Sequence, residues 1–168
     1  VTDALPVGAL VVAADSGIDH ARAAGRSVDV AVGDFDSVSP AGLAAVRASG
    51  ATILEHPTDK DASDLELALD VAMAAGVERV IVVGGHGGRI DHFLVNAMLL
   101  VSERHRGLCI EAWFGTSRAY VLRPAESLVL AGEPGDVVTL LAVRAPAMGV
   151  TTSGLRYPLA GEALSHCV

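Results

Sequence analysis

Cysteine is scarce in this chain. The 168 residues include Cys109 and Cys167, far apart and without a C-x-x-C partner, so neither a disulfide framework nor a thiolate zinc site is supported. Long apolar runs are missing too: none reaches the ~18–20 residues of a spanning helix. The N-terminus lacks the basic, apolar and cleavage regions of a secretory signal, and a soluble, cytoplasmic protein is expected. Basic residues are outnumbered, 12 Lys and Arg against 20 Asp and Glu, for a net charge of −8 and a pI near 5.1. That balance argues against non-specific binding to nucleic acid or to a membrane surface, both of which are anionic. An acidic chain that handles phosphates needs metal cations to bridge the charge. Low-complexity linkers and internal repeats are absent, as are the P-loop pattern G-x-x-x-x-G-K-[ST] and the dinucleotide fingerprint G-x-G-x-x-G.

What is present is a chain that can bury a core: 51% hydrophobic and 19% charged residues, enough for one sizeable or two small domains. Through about residue 105 it alternates short apolar runs with helical patterns. "ALVVAA" (9–14), "VDVAV" (28–32), "ATILE" (51–55) and "RVIVVG" (79–84) read as strands covered on both faces. Between them lie "IDHARAAG" (18–25), "SPAGLAAVRASG" (39–50) and "SDLELALDVAMAAG" (63–76), each ending in a glycine suited to a helix C-cap. Leu65, Ala68, Leu69 and Ala72 form one apolar stripe at helical spacing. This order predicts an α/β domain with a parallel, doubly wound sheet over residues 1–110.

After Arg106 the texture changes to short β-rich runs: "LCIEAWFG", "SRAYVLR", "ESLVLAG", "DVVTLLAV" and "GVTTSGLRYPLAG". They predict an antiparallel sheet or sandwich over residues 111–168. Because a sandwich ending at "EALSHCV" is incomplete, a further C-terminal segment is expected; the start at Val1 without Met likewise leaves room for residues upstream. Trp113, Phe114 and Tyr120 read as core or interface residues.

Ligands of an open parallel sheet bind beyond the carboxyl ends of its strands. Asp15 follows the first strand, Asp34 and Asp36 the second, Asp61 and Asp64 the third, and Asp91 the fourth, after "GGHGGR". Each has a local explanation. Asp15 before Ser16-Gly17 suits a turn, Asp61 and Asp64 suit a helix dipole beside the Ser63/Glu66 capping box, and Asp91 suits an N-cap. Their coincidence at one sheet edge is what points to chemistry. Clustered carboxylates stay ionised only beside a cation, and all-oxygen ligands favour Mg²⁺. The glycine stretch with Arg89 offers backbone N–H groups and a guanidinium to an anion, although taken alone a flexible turn explains it better. His86 and His92 read as structural or supporting residues, and His20, His56, His105 and His166 as surface or core fillers.

With these residues in hand, the chain resembles the bacterial thiamine pyrophosphokinase family through "AADSGIDHARAAG", "VDVAVGDFDSVSP", "KDASDLELAL", "GGHGGRIDHFLVNAMLL" and "GVTTSGLRYPL". The resemblance implies a Rossmann-like N-terminal domain with helices on both faces and a C-terminal β-sandwich. It implies a homodimer with active sites between subunits, and transfer of a pyrophosphoryl group from ATP to thiamine with Mg²⁺, leaving AMP. Carried over by motif, Asp34, Asp36 and Asp64 are the metal-binding and catalytic carboxylates, with Asp15 and Asp61 nearby. Ser37 orients the second aspartate, Lys60 holds ATP phosphates, and Arg89 with Asp91 contacts the nucleotide. Asp36 and Asp64 both stay open as acceptors of the thiamine proton.

Two departures stand out. "ADSGID" has Ser16 and Asp19 where the family usually carries "ADGGAN", which is expected to alter a close approach and a polar contact near the substrate. The family also continues into a glycine- and serine-containing segment that helps recognise thiamine across the dimer, beyond this chain's last residue. Other readings remain. They are a diphosphokinase of the same fold acting on another alcohol such as a hydroxymethylpterin, a non-catalytic nucleotide-binding relative, and a haloacid-dehalogenase-type phosphatase. The last expects D-x-D-x-[TV], which Ser37 and Val38 fit poorly.

Overall fold

The computed structural model describes residues 5–86 and 89–166. The chain divides into two compact units, Val1–Val121 and Leu122–Val168.

In the first unit β1 (Val12–Ala14), β2 (Val30–Gly33) and β3 (Thr52–Glu55) form a parallel sheet, with α1 (Gly17–Ala23) and α2 (Pro40–Ala48) as crossovers. The register pairs Ala14 with Val32 and Gly33 with Glu55, so the carboxyl ends of all three strands fall at one edge. Buried Ala31 and Val32 leave no polar face on the central strand, as its apolar sequence requires. Ile18 of α1, fully buried, packs with Ala13, Val28, Val46 and Phe35. Burial of one such side chain contributes about 1.5–3 kcal/mol. α2 begins where Ser39 accepts from Gly42 N at 3.0 Å with Pro40 in the first turn.

α3 (Asp64–Ala74) starts with the Ser63 side chain accepting from Glu66 N at 3.2 Å and packs on β1 and β2. β4 (Arg79–Val83), α4 (Ile90–Leu100), β5 (Cys109–Phe114) and β6 (Ser117–Tyr120) follow. A second core forms from Leu69, Val82, Leu100 and Ile110. His105 sits fully buried in this part, its Nε2 3.1 Å from Asp70 Oδ1, while Arg104 forks the same carboxylate at 2.9 and 2.7 Å. The filler role expected for His105 therefore includes a specific tie to α3.

Two features differ from the sequence reading. "CIEAWF" pairs parallel to β4 and only then antiparallel to β6, so these strands extend the α/β unit instead of opening an antiparallel one. The alternation of β5 buries Ile110 and Ala112 against the second core, which rewards pairing with β4. The described strands of the first unit also form two three-stranded sheets, β1-β2-β3 and β4-β5-β6.

The second unit contains β7 (Ala147–Thr151) paired antiparallel with β8 (Ala160–Leu164), and an isolated bridge from Ala142 to His166. The expected strands in "ESLVLAG" and "DVVTLLAV" have no ladder among the described residues, and Val129 and Val137 are 96% and 90% exposed. An extended apolar run becomes a strand only when a neighbour takes its backbone groups along its length, and among the described residues only the Ala142 bridge to His166 begins to do so. No helix among the described residues is long and apolar enough to cross a membrane.

Candidate functional site

The carboxyl edge of β1-β2-β3 is charged because three consecutive connections turn there. At the end of β1, Asp15 N donates to Val32 O at 2.9 Å, and the residue adopts φ 45°, a conformation uncommon for a side chain larger than glycine. Asp15 is only 9% exposed, and its Oδ1 is buried without a hydrogen-bond partner in the described structure. Burial raises the Asp15 pKa; Ser37 and the Ser16 backbone oppose the shift, and the charges of Asp64 and Asp34 add to it.

At the end of β2, Gly33 has φ 143°. A Cβ there would lie 3.2 Å from Asp64 Oδ1 and 3.3 Å from Asp15 Cβ, so the missing side chain is what lets both aspartates close over the strand end. Asp34 Oδ1 then accepts from Asp36 N at 3.2 Å, folding the D-F-D turn on itself. Between the two carboxylates, Phe35 takes φ 62° and stays 7% exposed, its ring in the first core. The ring anchors the turn from below and leaves Asp34 and Asp36 at the edge. Backbone strain of this kind persists only where the surroundings enforce it, and it concentrates at functional sites.

Asp36 is exposed and accepts from Ser37 Oγ at 2.7 Å, as the motif suggested for Ser37. Lys60, on the loop before α3, places Nζ 3.2 Å from Asp34 Oδ2 and 3.1 Å from Asp64 Oδ1. The Asp36 N–H is the leading cause that holds the Asp34 carboxyl below its ordinary pKa, with Lys60 contributing. Burial works against the Lys60 ammonium, but Asp64 and Asp34 outweigh it and raise its pKa.

One carboxylate oxygen each from Asp15, Asp34 and Asp36 lies within 4.8 Å of the others. Three hard carboxylate donors at that spacing, on residues that include Asp15 with its buried, unpartnered Oδ1, fit a divalent cation of the Mg²⁺ class. Sequence reasoning left Asp15 at the periphery; the structure brings it into the group. Asp64 faces the same space through Lys60.

The other expected residues lie differently. Asp61 is exposed on the loop ahead of α3. Arg89, which precedes the first turn of α4, pairs with Asp91: Nε donates to Oδ1 at 3.1 Å and Nη2 to Oδ2. The guanidinium pulls the Asp91 pKa down to about 2. Both are exposed, and no described contact joins them to the carboxylate group. Of the glycine stretch, Gly87 and Gly88 lie outside the described residues; Gly84 and Gly85 take φ 88° and 73°, and Asn96 Nδ2 donates to Gly85 O at 3.2 Å. His86 is exposed, edge-on to Phe114.

The Asp19 carboxylate accepts from Ser39 N at 2.8 Å and Ser39 Oγ at 2.6 Å, at the start of α2, a link the sequence reading did not anticipate. The spacing of twenty residues between these partners gives no sequence signal.

Residues 4–112 match the family model described as thiamin pyrophosphokinase, catalytic domain. Over 129 residues the chain is 27% identical to thiamine pyrophosphokinase of Bacillus subtilis, covering 77% of this chain and 60% of that protein. The matched region therefore spans about three fifths of the curated relative. A crystal structure of thiamine pyrophosphokinase from the same organism superposes with a TM-score of 0.84 at 25% identity, over 98% of this chain and 77% of that one. A thiamin pyrophosphokinase family protein from Enterococcus faecalis gives 0.75 at 25% identity, over 94% and 75%.

Proposed function

The chain belongs to the thiamin pyrophosphokinase catalytic-domain family, and from that premise we propose that it transfers the β,γ-pyrophosphoryl group of ATP to the hydroxyl of thiamine, giving thiamine diphosphate and AMP. The observation that carries the reading is the convergence of Asp15, Asp34 and Asp36 within 4.8 Å, backed by Lys60 between Asp34 and Asp64.

Asp34 and Asp36, with Asp15 and Asp64 beside them, would hold Mg²⁺. When bound, the ion offsets the triphosphate charge and polarises the phosphoryl oxygens. The protein's own part is to position and to move one proton. The thiamine hydroxyl oxygen forms a bond to the β-phosphorus, the bond from that phosphorus to the α–β bridging oxygen breaks, and AMP leaves with the electron pair. Such a transfer depends on in-line placement and on charges fixed around the phosphates. Lys60 and Arg89 supply the positive charges, and Arg89 reaches the nucleotide by exchanging Asp91 for phosphate. Of the two open acceptors for the proton, Asp64 is committed to the Lys60 ammonium, whereas Asp36 is exposed and held by a serine hydroxyl. Asp36 in turn belongs to the metal-holding group, so both carboxylates stay open as the base.

The same reading assigns nucleotide and metal handling to the first unit, Val1–Val121, and thiamine recognition and dimerisation to the second, Leu122–Val168, as a β-sandwich. The active sites lie between the subunits of a cytoplasmic homodimer. The likeness to the Bacillus subtilis structure across 98% of this chain supports the fold on which this reading is built. Product analysis with ATP, Mg²⁺ and a panel of alcohols tests the proposal. Thiamine-dependent AMP with equimolar thiamine diphosphate supports it. AMP formed only with another alcohol, such as a hydroxymethylpterin, moves the acceptor, and no AMP with any alcohol makes the chain a nucleotide-binding relative.

A further inference from the structure

We propose that Asp19 is a positioning residue for the carboxylate group, locking the D-F-D turn to the helix that follows Asp15. The inference rests on the metal-binding reading of Asp15, Asp34 and Asp36, and it concerns a residue that departs from the asparagine usual in the resembled family.

Asp15 and Asp34 lie on two separate connections, each with a residue forced to positive φ, Asp15 at 45° and Phe35 at 62°. Carboxylates on strained turns keep their spacing only if the turns are held at both ends. Their near ends are fixed by the β1-β2 ladder, including Asp15 N to Val32 O at 2.9 Å. Their far ends meet at Asp19. From α1, its two oxygens accept separately from the Ser39 Oγ and N at 2.6 and 2.8 Å, and Ser39 closes the loop carrying Asp34 and Asp36. Ser39 Oγ in turn accepts from Gly42 N at 3.0 Å, so one chain of hydrogen bonds runs from α1 into the first turn of α2.

A second feature points the same way. Gly42 is buried inside α2, where glycine costs about 1 kcal/mol relative to alanine. A Cβ there would penetrate Asp19 Oδ1 and come within 3.0 Å of Asp19 Cγ and 3.1 Å of Ser39 Oγ. The glycine is thus fitted to the Asp19 carboxylate. α2 has no acidic residue in its own first turn, so Asp19 supplies the anion its N-terminus favours from the neighbouring helix. An asparagine can keep both links, accepting from Ser39 N and donating to Ser39 Oγ; an alanine keeps neither.

Binding of Mn²⁺ alone to the full chain, read by electron paramagnetic resonance, tests this together with steady-state kinetics. Groups that orient metal ligands typically change affinity by 10–100-fold when lost. Asp19→Ala is expected to weaken Mn²⁺ about tenfold and to lower kcat with little change in the KM for thiamine, while Asp19→Asn stays within about threefold of wild type. Gly42→Ala is expected to weaken Mn²⁺ alone, but to add little to Asp19→Ala, because both act on one link. It also carries the test should Asp19→Ala not fold. Unchanged Mn²⁺ affinity in Asp19→Ala overturns the proposal, as does Asp19→Asn behaving like alanine, which would reduce the effect to lost charge. A wild-type chain without Mn²⁺ affinity overturns both the metal reading and this role. Mn²⁺ binding that is sensitive to Asp19, without AMP from ATP and thiamine, supports the role and overturns only the thiamine reading.

Discussion

Lys60 Nζ stands 3.2 Å from Asp34 Oδ2, with the same ammonium 3.1 Å from Asp64 Oδ1, so one cation joins the end of β2 to the start of α3. The side chain is mostly covered, 13% exposed, and the ion pairs are screened less than surface ones. Replacing Lys60 by Met leaves two facing carboxylates uncompensated and removes a charge from the triphosphate. The expected loss in kcat/KM is about 10²-fold, the scale of losing one preorganised donor to a transition state. Excess Mg²⁺ is expected to restore only part of it. Near-normal turnover in Lys60→Met would remove this lysine from the site.

Gly33 is the second structural hinge of the account. Its φ of 143° strains any side chain, and a methyl group would stand 3.2 Å from Asp64 Oδ1, so the neighbours would have to shift to admit it. Gly33→Ala is expected to cost about 1–3 kcal/mol of stability through backbone strain and to displace Asp15 and Asp64 together. Thermal unfolding and Mg²⁺-dependent activity should fall in parallel. An active, equally stable alanine variant would show that the strand end is roomier than described.

The carboxylate group stores repulsion that a cation relieves. Asp15 is the least comfortable of its members: it is buried with Oδ1 unpartnered, and its pKa is raised chiefly by burial, with smaller contributions from Asp64 and Asp34. Asp15→Asn is therefore expected to raise the melting temperature of the protein in chelator at neutral pH, while reducing the further rise given by Mg²⁺. A drop in melting temperature in chelator would mean that the Asp15 carboxylate is a structural anchor.

Asp70 supplies the pH test away from the site. Arg104, and then His105, hold its carboxyl below the ordinary 3.8. A depressed folded-state value means the stabilisation is fully present above 3.8 and is lost as pH falls through the folded value. Asp70→Asn should therefore be less stable than wild type at neutral pH, and the gap should close as pH is lowered past 3.8 toward the folded value. Denaturant melts across that range check the sign; a gap that is constant with pH would assign Asp70 a packing role only.

The sequence was most informative where the physics is local. Ser39-Pro40 and Ser63 with Glu66 mark helix starts that form as expected, because caps depend on residues three positions apart. Asp15, Asp34 and Asp36 were placed at strand ends by the apolar runs that precede them. What needed the fold was pairing between distant segments. The Asp19 link to Ser39, the Lys60 bridge and the parallel pairing of β5 with β4 join residues whose proximity no period in the sequence encodes. The apolar runs at 126–132 and 136–143 show the converse: β propensity is legible locally, but a strand also needs a partner for its backbone.

The central claim is that a pyrophosphoryl group, and not a single phosphoryl group, leaves ATP for the thiamine hydroxyl. ATP radiolabelled at its β-phosphorus, incubated with the protein, Mg²⁺ and thiamine, tests it most directly. Label is expected in thiamine diphosphate with unlabelled AMP as co-product, and neither product is expected when thiamine is omitted. Label recovered in ADP, or product formation indifferent to thiamine, would contradict it.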